Sequence, residues 1–237
     1  MATCLFCDPE AGREHCRQNF GLRMDILARS RHFFVIPMPG AGTNGYLLVV
    51  SKEHHHSMAD LPLARFEELL GLLGLLLPEV EKAYGPAVLL EHGSTCKNIS
   101  CMIDHAHIHI VPVPEGFSIL DDIGQKYPLT AMRNIGDLVF WGAGEHVAPD
   151  GSNGRHVGYL FYRERDGKCF IHPLASVEGF EPQYLRKVLL LRLGRSEWDW
   201  RKNLDQGQVD DIHLRLGHLG NVIGLSEWGV EACGPMQ

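Results

Sequence analysis

The chain has no hydrophobic run long enough for a bilayer. Its most apolar stretch, Leu69 to Leu77, falls well short of the roughly 18–20 residues that a spanning helix needs. The N-terminus, MATCLFCDPE, has neither a basic segment nor a long apolar one, so no secretory signal is read and the cytosol is the expected compartment. Positive charge is not in excess: 22 Lys and Arg stand against 29 Asp and Glu, a net charge of −7. That balance disfavours non-specific binding to nucleic acid. Cysteine is odd in number, seven at positions 4, 7, 16, 96, 101, 169 and 233, which makes a poor disulfide framework in a cytosolic chain. Internal repeats and low-complexity linkers are absent. With 22% charged and 45% hydrophobic residues, wholesale disorder is excluded, and 237 residues make one large domain or two small ones.

Histidine is the residue in surplus. There are 14, and seven of them, at 54, 55, 56, 92, 105, 107 and 109, crowd one stretch. Around them the elements read as follows. Residues 1–20 look irregular. ILARSRHFFVIP (26–37) is consistent with one or two short strands, and Tyr46 to Val50 with a buried strand. Asp60 can cap a helix with Pro62 in its first turn, running from about Leu63 to Ala83. Its leucines cover almost the whole circumference, so it must be covered on both sides, by a sheet and by a second layer or a partner chain. Pro78 should kink or split it. Ala87 to Leu90 reads as a strand ending at Glu91-His92-Gly93.

The pattern changes after Pro114. Residues 115–156 are rich in Gly and Asp and poorly patterned, apart from Leu138 to Trp141. Gly158 to Tyr162 and Cys169 to His172 flank Asp166-Gly167, a hairpin signal that suits a type I′ turn. Pro182 opens a helix that Gly194 closes, Trp198 and Trp200 read as packing residues, and Asp211 to Leu219 is a last short helix.

Residues 105–111, His-Ala-His-Ile-His-Ile-Val, alternate strictly. On a strand, His105, His107 and His109 share one face, about 6.6–6.8 Å apart, while Ala106, Ile108 and Ile110 face the core. Pro112 and Pro114 suggest a sheet edge or a strand end. One histidine here would be an ordinary polar position; three at alternate positions are hard to read that way. A single metal held by all three is strained, because the outer two would stand about 13 Å apart. The remaining option is nucleophilic catalysis. Neutral imidazole exists near pH 7 and attacks phosphorus, and its neighbours on the same face can donate hydrogen bonds to phosphate oxygens and the leaving group.

This segment resembles the histidine triad (HIT) signature. Four further features agree in order: Cys4-x-x-Cys7, the YLLVV strand, Lys52-x-His54, and Met58-Ala59-Asp60-Leu61 at the next helix. The resemblance covers roughly residues 4–114. It implies an α+β fold, an antiparallel sheet with helices packed on it, usually built as a homodimer. Residues 1–114 are then a HIT-like catalytic domain, and 115–237 an α+β C-terminal extension to which no motif attaches. The resemblance further implies that His107 is the nucleophile, forming a nucleotidyl-histidine at an α-phosphorus, and that His109 hydrogen-bonds the phosphate or leaving group. Two segments that normally touch phosphate and ribose depart from the family pattern, Cys101-Met102-Ile103 and Glu91-His92-Gly93. Asn98 and Ser100 are the nearby substrate-binding candidates.

Cys4-x-x-Cys7 is half of a zinc site by spacing; the alternatives are two free thiols or a redox pair, which would need a helix N-terminus. No helical pattern is read after Pro9 and Gly12. In some HIT relatives two histidines complete such a site, and these map onto His54 and His105, with His55 and His56 as substitutes for the former. One structural zinc per chain is therefore the expected cofactor. The expected activity is hydrolysis of a nucleoside phosphoramidate, an adenylated compound or a dinucleoside polyphosphate. A nucleotidyltransferase or phosphorylase would use the same intermediate with another acceptor, and a zinc-stabilised nucleotide-binding module would use none. Transferase relatives tend to carry His-Pro-His, and Ala106 is not proline, so hydrolysis leads. The expected partners are a nucleotide substrate and a second copy of the chain.

Overall fold

A computed structural model describes residues 4–94, 105–141, 157–176 and 180–226, together with the backbone of two short strands at 146–147 and 153–154. In chain order the helices are α1 (Pro9–Phe20), α2 (Leu63–Tyr84), α3 (Leu120–Gly124), α4 (Tyr184–Arg192), α5 (Gln206–Leu216) and α6 (Leu219–Gly224). The strands are β1 (Ala28–Arg29), β2 (Phe33–Pro37), β3 (Leu47–Ser51), β4 (Ala87–Ser94), β5 (His107–Pro112), β6 (Thr130–Met132), β7 (His146–Val147), β8 (Asn153–Gly154), β9 (Gly158–Arg163) and β10 (Cys169–Leu174). Eight of them form one antiparallel sheet in the order β1-β2-β3-β5-β4-β9-β10-β6, while β7 and β8 pair separately. The fold is α+β.

Strand alternation sorts the core into two layers. On one face, Leu47, Val49, Leu89, Ile108 and Ile110 pack beneath α2. The opposite face carries Leu48, Val50, Val88, Leu90 and Val111, which pack against Leu185, Leu189 and Leu190 of α4. The central strand β5 lies between β3 and β4, with His109 across from Leu48 and Leu90. Of the two readings of Pro112, the strand end is the one observed, since it closes β5 opposite Ala87.

The sheet does not stop at residue 114. β9 adds directly to β4, pairing Leu89–Ser94 with Gly158–Arg163. Residues after 115 also supply the outer cover of α2, because Ile212, Leu216, Leu219 and Ile223 of α5 and α6 join its core cluster. Within the one chain Phe66, Leu69, Leu72, Leu73, Leu76 and Val80 of α2 are buried, while Leu70, Leu75 and Leu77 are half-buried. No helix among the described residues is long and apolar enough to cross a membrane.

Several local expectations are corrected. Residues 9–20 are helical, not irregular: Asp8 caps α1 by accepting from the Glu10 and Ala11 amides, Pro9 takes the first turn, and Gly21 ends it in the left-handed region at φ 68°. Asp60 belongs to a 3₁₀ turn, Met58–Asp60, and α2 begins after Pro62 without a side-chain cap. α2 runs unbroken through Pro78, so the helix is not split. β4 extends through Glu91-His92-Gly93 to Ser94. The β9–β10 loop is longer than a two-residue turn, since Arg163 pairs with Cys169 and the Glu164 amide bonds the Lys168 carbonyl, with Gly167 at φ 92°. α4 starts at Tyr184 instead of Pro182, and the last helix is two, α5 and α6.

Candidate active site and metal centre

β5 aims His107 and His109 from the α4 side of the sheet, both half-buried, into a cavity of ≈ 280 Å³. Its walls are largely apolar, with Phe6, Phe20, Met24, Ile36, Leu90 and Trp200 among them. Each histidine is oriented by a bond to its Nδ1. His107 Nδ1 lies 2.6 Å from the His105 carbonyl, which only accepts, so the proton sits on Nδ1 and the Nε2 lone pair is left free. His109 Nδ1 lies 3.0 Å from the Tyr46 hydroxyl. With that hydroxyl donating, the proton of His109 sits on Nε2. The two rings stand 4.8 Å apart, centroid to centroid.

Burial keeps these imidazoles neutral. It lowers His107 below the usual histidine range, and it lowers His109 well below it with help from the charges of His107, Arg186 and His92. His92, on the same face from β4, is pushed down to about 3 by burial and by His107, and its ring lies 4.3 Å from that of Phe180. Glu91 alternates to the other face, so the departure Glu91-His92-Gly93 puts a histidine at the cavity and the carboxylate away from it.

The start of the chain folds back beside this site. Cys4, Cys7, His54 and His105 present ligand atoms that all lie within 4.8 Å of one another. Cys4 Sγ and Cys7 Sγ approach His105 Nδ1 at 3.3 and 3.6 Å, and Cys7 Sγ is 3.3 Å from His54 Nδ1. Ligands around a tetrahedral zinc, at about 2.0–2.3 Å from the ion, stand on the order of 3.3–3.8 Å from one another. The donor set fits that ion. His105 Nε2 is 2.7 Å from the Ser51 carbonyl, which fixes the tautomer with Nδ1 turned to the sulfurs. In the metal-free chain burial and the neighbouring Cys4 push the Cys7 thiol up to about 11, and α1 begins just after it at Pro9. His55 is bonded elsewhere, its Nε2 3.0 Å from Arg65 Nη1. Phe6, between the two cysteines, meets the rings of His105 and His107 edge-on, both at 5.7 Å.

No protein-family model matches the chain, and no curated protein matches it. Solved structures resemble part of it. A hypothetical histidine triad nucleotide-binding protein from Sulfolobus tokodaii is 22% identical over 48% of this chain and 71% of that one, with a TM-score of 0.37. A zinc-bound histidine triad family protein from Mycobacterium smegmatis is 18% identical over 48% and 77%, with a TM-score of 0.34. A HIT family hydrolase from Clostridium thermocellum is 17% identical over 50% and 96%, with a TM-score of 0.33. These similar structures are histidine triad proteins. At such identities and scores they add no weight to the reading of individual residues, which stands on the geometry above.

The structure thus brings together two groups of the expected residues: His107 with His109, and Cys4 and Cys7 with His54 and His105. Asn98, Ser100 and Cys101 to Ile103 lie outside the described residues. Sequence reasoning missed Tyr46, Gln183 and Arg186, and reached Glu91-His92-Gly93 only through the family resemblance. Alternation from Val88 and Leu90 could have placed His92 on this face. Gln183 is the lone non-glycine residue with positive φ, 57°, among the described residues, and its buried Oε1 has no hydrogen-bond partner at the cavity wall.

Proposed function

We propose that this protein is a nucleotide hydrolase that cleaves at an α-phosphate through a nucleotidyl intermediate on His107 Nε2. The observation that carries the reading is the pair of Nδ1 contacts on adjacent histidines, His107 to the His105 carbonyl and His109 to the Tyr46 hydroxyl, which assign a free lone pair to His107 Nε2 and an N–H donor to His109 Nε2 at one apolar-walled cavity. The substrate classes are a nucleoside phosphoramidate, an adenylated compound or a dinucleoside polyphosphate, with the base against the apolar wall.

In the first step His107 Nε2 forms a bond to the α-phosphorus as the bond to the leaving group breaks; the departing atom leaves with the bonding electron pair, accepts a hydrogen bond from His109 Nε2–H and takes its proton from solvent. In the second, water attacks phosphorus, the phosphorus–nitrogen bond breaks with its electron pair returning to His107 Nε2, and the proton lost by the water passes to solvent. The nucleoside monophosphate leaves with both histidines in their starting tautomers. The His105 carbonyl holds the nucleophile's ring and the Tyr46 hydroxyl holds the donor's. A zinc ion bound by Cys4, Cys7, His54 and His105 would supply rigidity to the strand behind His107, with no open position for a nucleophile.

A panel of adenylated, guanylated and uridylated compounds, with and without phosphate or alcohol acceptors, tests the assignment. Hydrolysis independent of acceptor, abolished in His107→Ala while nucleotide still binds, is the expected result. Turnover only with an added acceptor would make the protein a transferase, and nucleotide binding without turnover would make it a binding module.

A further inference from the structure

Helix α4 brings to the cavity a buried cation that the steps above do not use. Arg186 is only 5% exposed, a rare condition for an arginine without a partner. Its Nε donates to the Trp198 carbonyl at 2.8 Å and its Nη2 to the Gly40 carbonyl. Its Nη1 is buried with no hydrogen-bond partner. Among the described residues no carboxylate forms an ion pair with it. A guanidinium held this way, at an apolar-walled cavity and against the Tyr46 ring, has no carboxylate partner among the described residues, and one of its buried nitrogens is left without a hydrogen bond. The missing partner is an anion, and the planar fork matches phosphate oxygens.

The position of the guanidinium specifies which phosphate. It lies 5.5 Å from the Tyr46 ring centroid, the Tyr46 hydroxyl is 3.0 Å from His109, and His109 adjoins His107. The order Arg186, Tyr46, His109, His107 sets the cation on the His109 side, where the leaving group departs if the hydrolase reading above holds. We propose that Arg186 binds a phosphate of the leaving group, and that the substrate is therefore a nucleotide with a P–O–P linkage and not a phosphoramidate with a neutral amine. In the bond-breaking step the bridging oxygen leaves on the distal phosphate with the bonding electron pair and accepts a hydrogen bond from His109 Nε2–H. Arg186 Nη1 meets a non-bridging oxygen of that same phosphate as its negative charge grows.

The test compares diadenosine tetraphosphate with adenosine 5′-phosphoramidate in wild type, Arg186→Lys and Arg186→Met. Wild type should prefer the tetraphosphate in kcat/KM, and Arg186→Met should lose about 10²-fold on it but less than about threefold on the phosphoramidate. Arg186→Lys, which keeps the charge without the fork, should fall between. A merely structural arginine would lower both substrates equally, and that result, or a wild-type preference for the phosphoramidate, overturns the proposal. If Arg186→Met does not fold, the wild-type preference and Arg186→Lys decide. Calorimetric binding of inorganic pyrophosphate separates this proposal from the hydrolase reading. Affinity should drop at least about tenfold in Arg186→Met, or measurably in Arg186→Lys. Unchanged affinity removes the anion site whatever the enzyme hydrolyses. Weakened affinity with neither substrate hydrolysed keeps the site and refutes the hydrolase.

Discussion

Glu91 is 1% exposed on the α2 face of β4 and ties three elements together. Its Oε1 accepts from the Met58 amide at 2.7 Å and its Oε2 from the Tyr159 hydroxyl at 2.7 Å, and that hydroxyl also accepts from the Ala59 amide at 3.2 Å. Burial outweighs these hydrogen bonds, and with the charge of Asp60 added it pushes the carboxyl up to about 8. In the unfolded chain the group titrates near ~4.3. A folded pKa above the unfolded one means that the stabilisation is complete below ~4.3 and is lost as pH rises towards 8. At about 1.4 kcal/mol per unit, the whole interval has a ceiling of about 5 kcal/mol. Glu91→Gln keeps the shape, with an amide oxygen for Met58 and an amide N–H for the Tyr159 oxygen, and cannot ionise. Urea unfolding followed by tryptophan fluorescence should find the two proteins within about 1 kcal/mol at pH 5. By pH 8 the variant should be the more stable by roughly 3–5 kcal/mol. Taking the difference between the proteins removes the histidine titrations common to both. A difference that stays flat with pH, or that turns against Glu91→Gln as pH rises, would refute the reasoning, because the carboxyl would then be ionised in the fold.

Protein purified without added zinc should carry about one zinc per chain by elemental analysis. Less than a tenth of an equivalent, unchanged in a Cys4→Ser, Cys7→Ser double variant, would remove the metal claim. Tyr46→Phe deletes the hydroxyl that fixes the His109 tautomer, so kcat should fall by about tenfold with little change in KM, while His109→Ala should cost about 10²–10³ in rate. Steady-state kinetics on both variants checks the order; a Tyr46→Phe enzyme as slow as His109→Ala would give the tyrosine a direct chemical role. Gly40, at φ 60°, would bring a Cβ to 1.8 Å from the Trp200 carbonyl. Gly40→Ala should therefore lose about 2–4 kcal/mol, read as a lower melting temperature, and a melt within a degree of wild type would show that the loop yields.

The histidine face was legible because strand alternation is rigid: His107 to Pro112 is a strand, and Ile108 and Ile110 at the core force His107 and His109 to the other side, while His105 stands just before the strand. The cysteine pair was legible as half a ligand set, but closing it on His54 and His105 spans 47 and 101 residues, and spacing alone could not choose among His54, His55 and His56. Helix α1 was missed although Asp8-Pro9 is a sound cap, because Gly12 and the absence of an apolar stripe hid it; none of its residues is buried. The contribution of the C-terminal half was not legible. Pairing of β9 with β4, the cover of α2 by α5 and α6, and the delivery of Arg186 are long-range contacts that leave no local period in the sequence. Arg186 in particular reads as one more polar residue of an ordinary helix until Trp198 and Gly40 are found to hold it.

The claim on which the chemistry stands is a covalent nucleotide on His107. Rapid acid quenching of the enzyme during turnover of a radiolabelled dinucleoside polyphosphate, followed by mass analysis of the peptide containing residues 105–111, reads it directly. The account predicts a nucleoside monophosphate adduct on His107, absent in His107→Ala. A wild-type enzyme that turns over with no adduct on this peptide, or a His107→Ala enzyme of full activity, would contradict it.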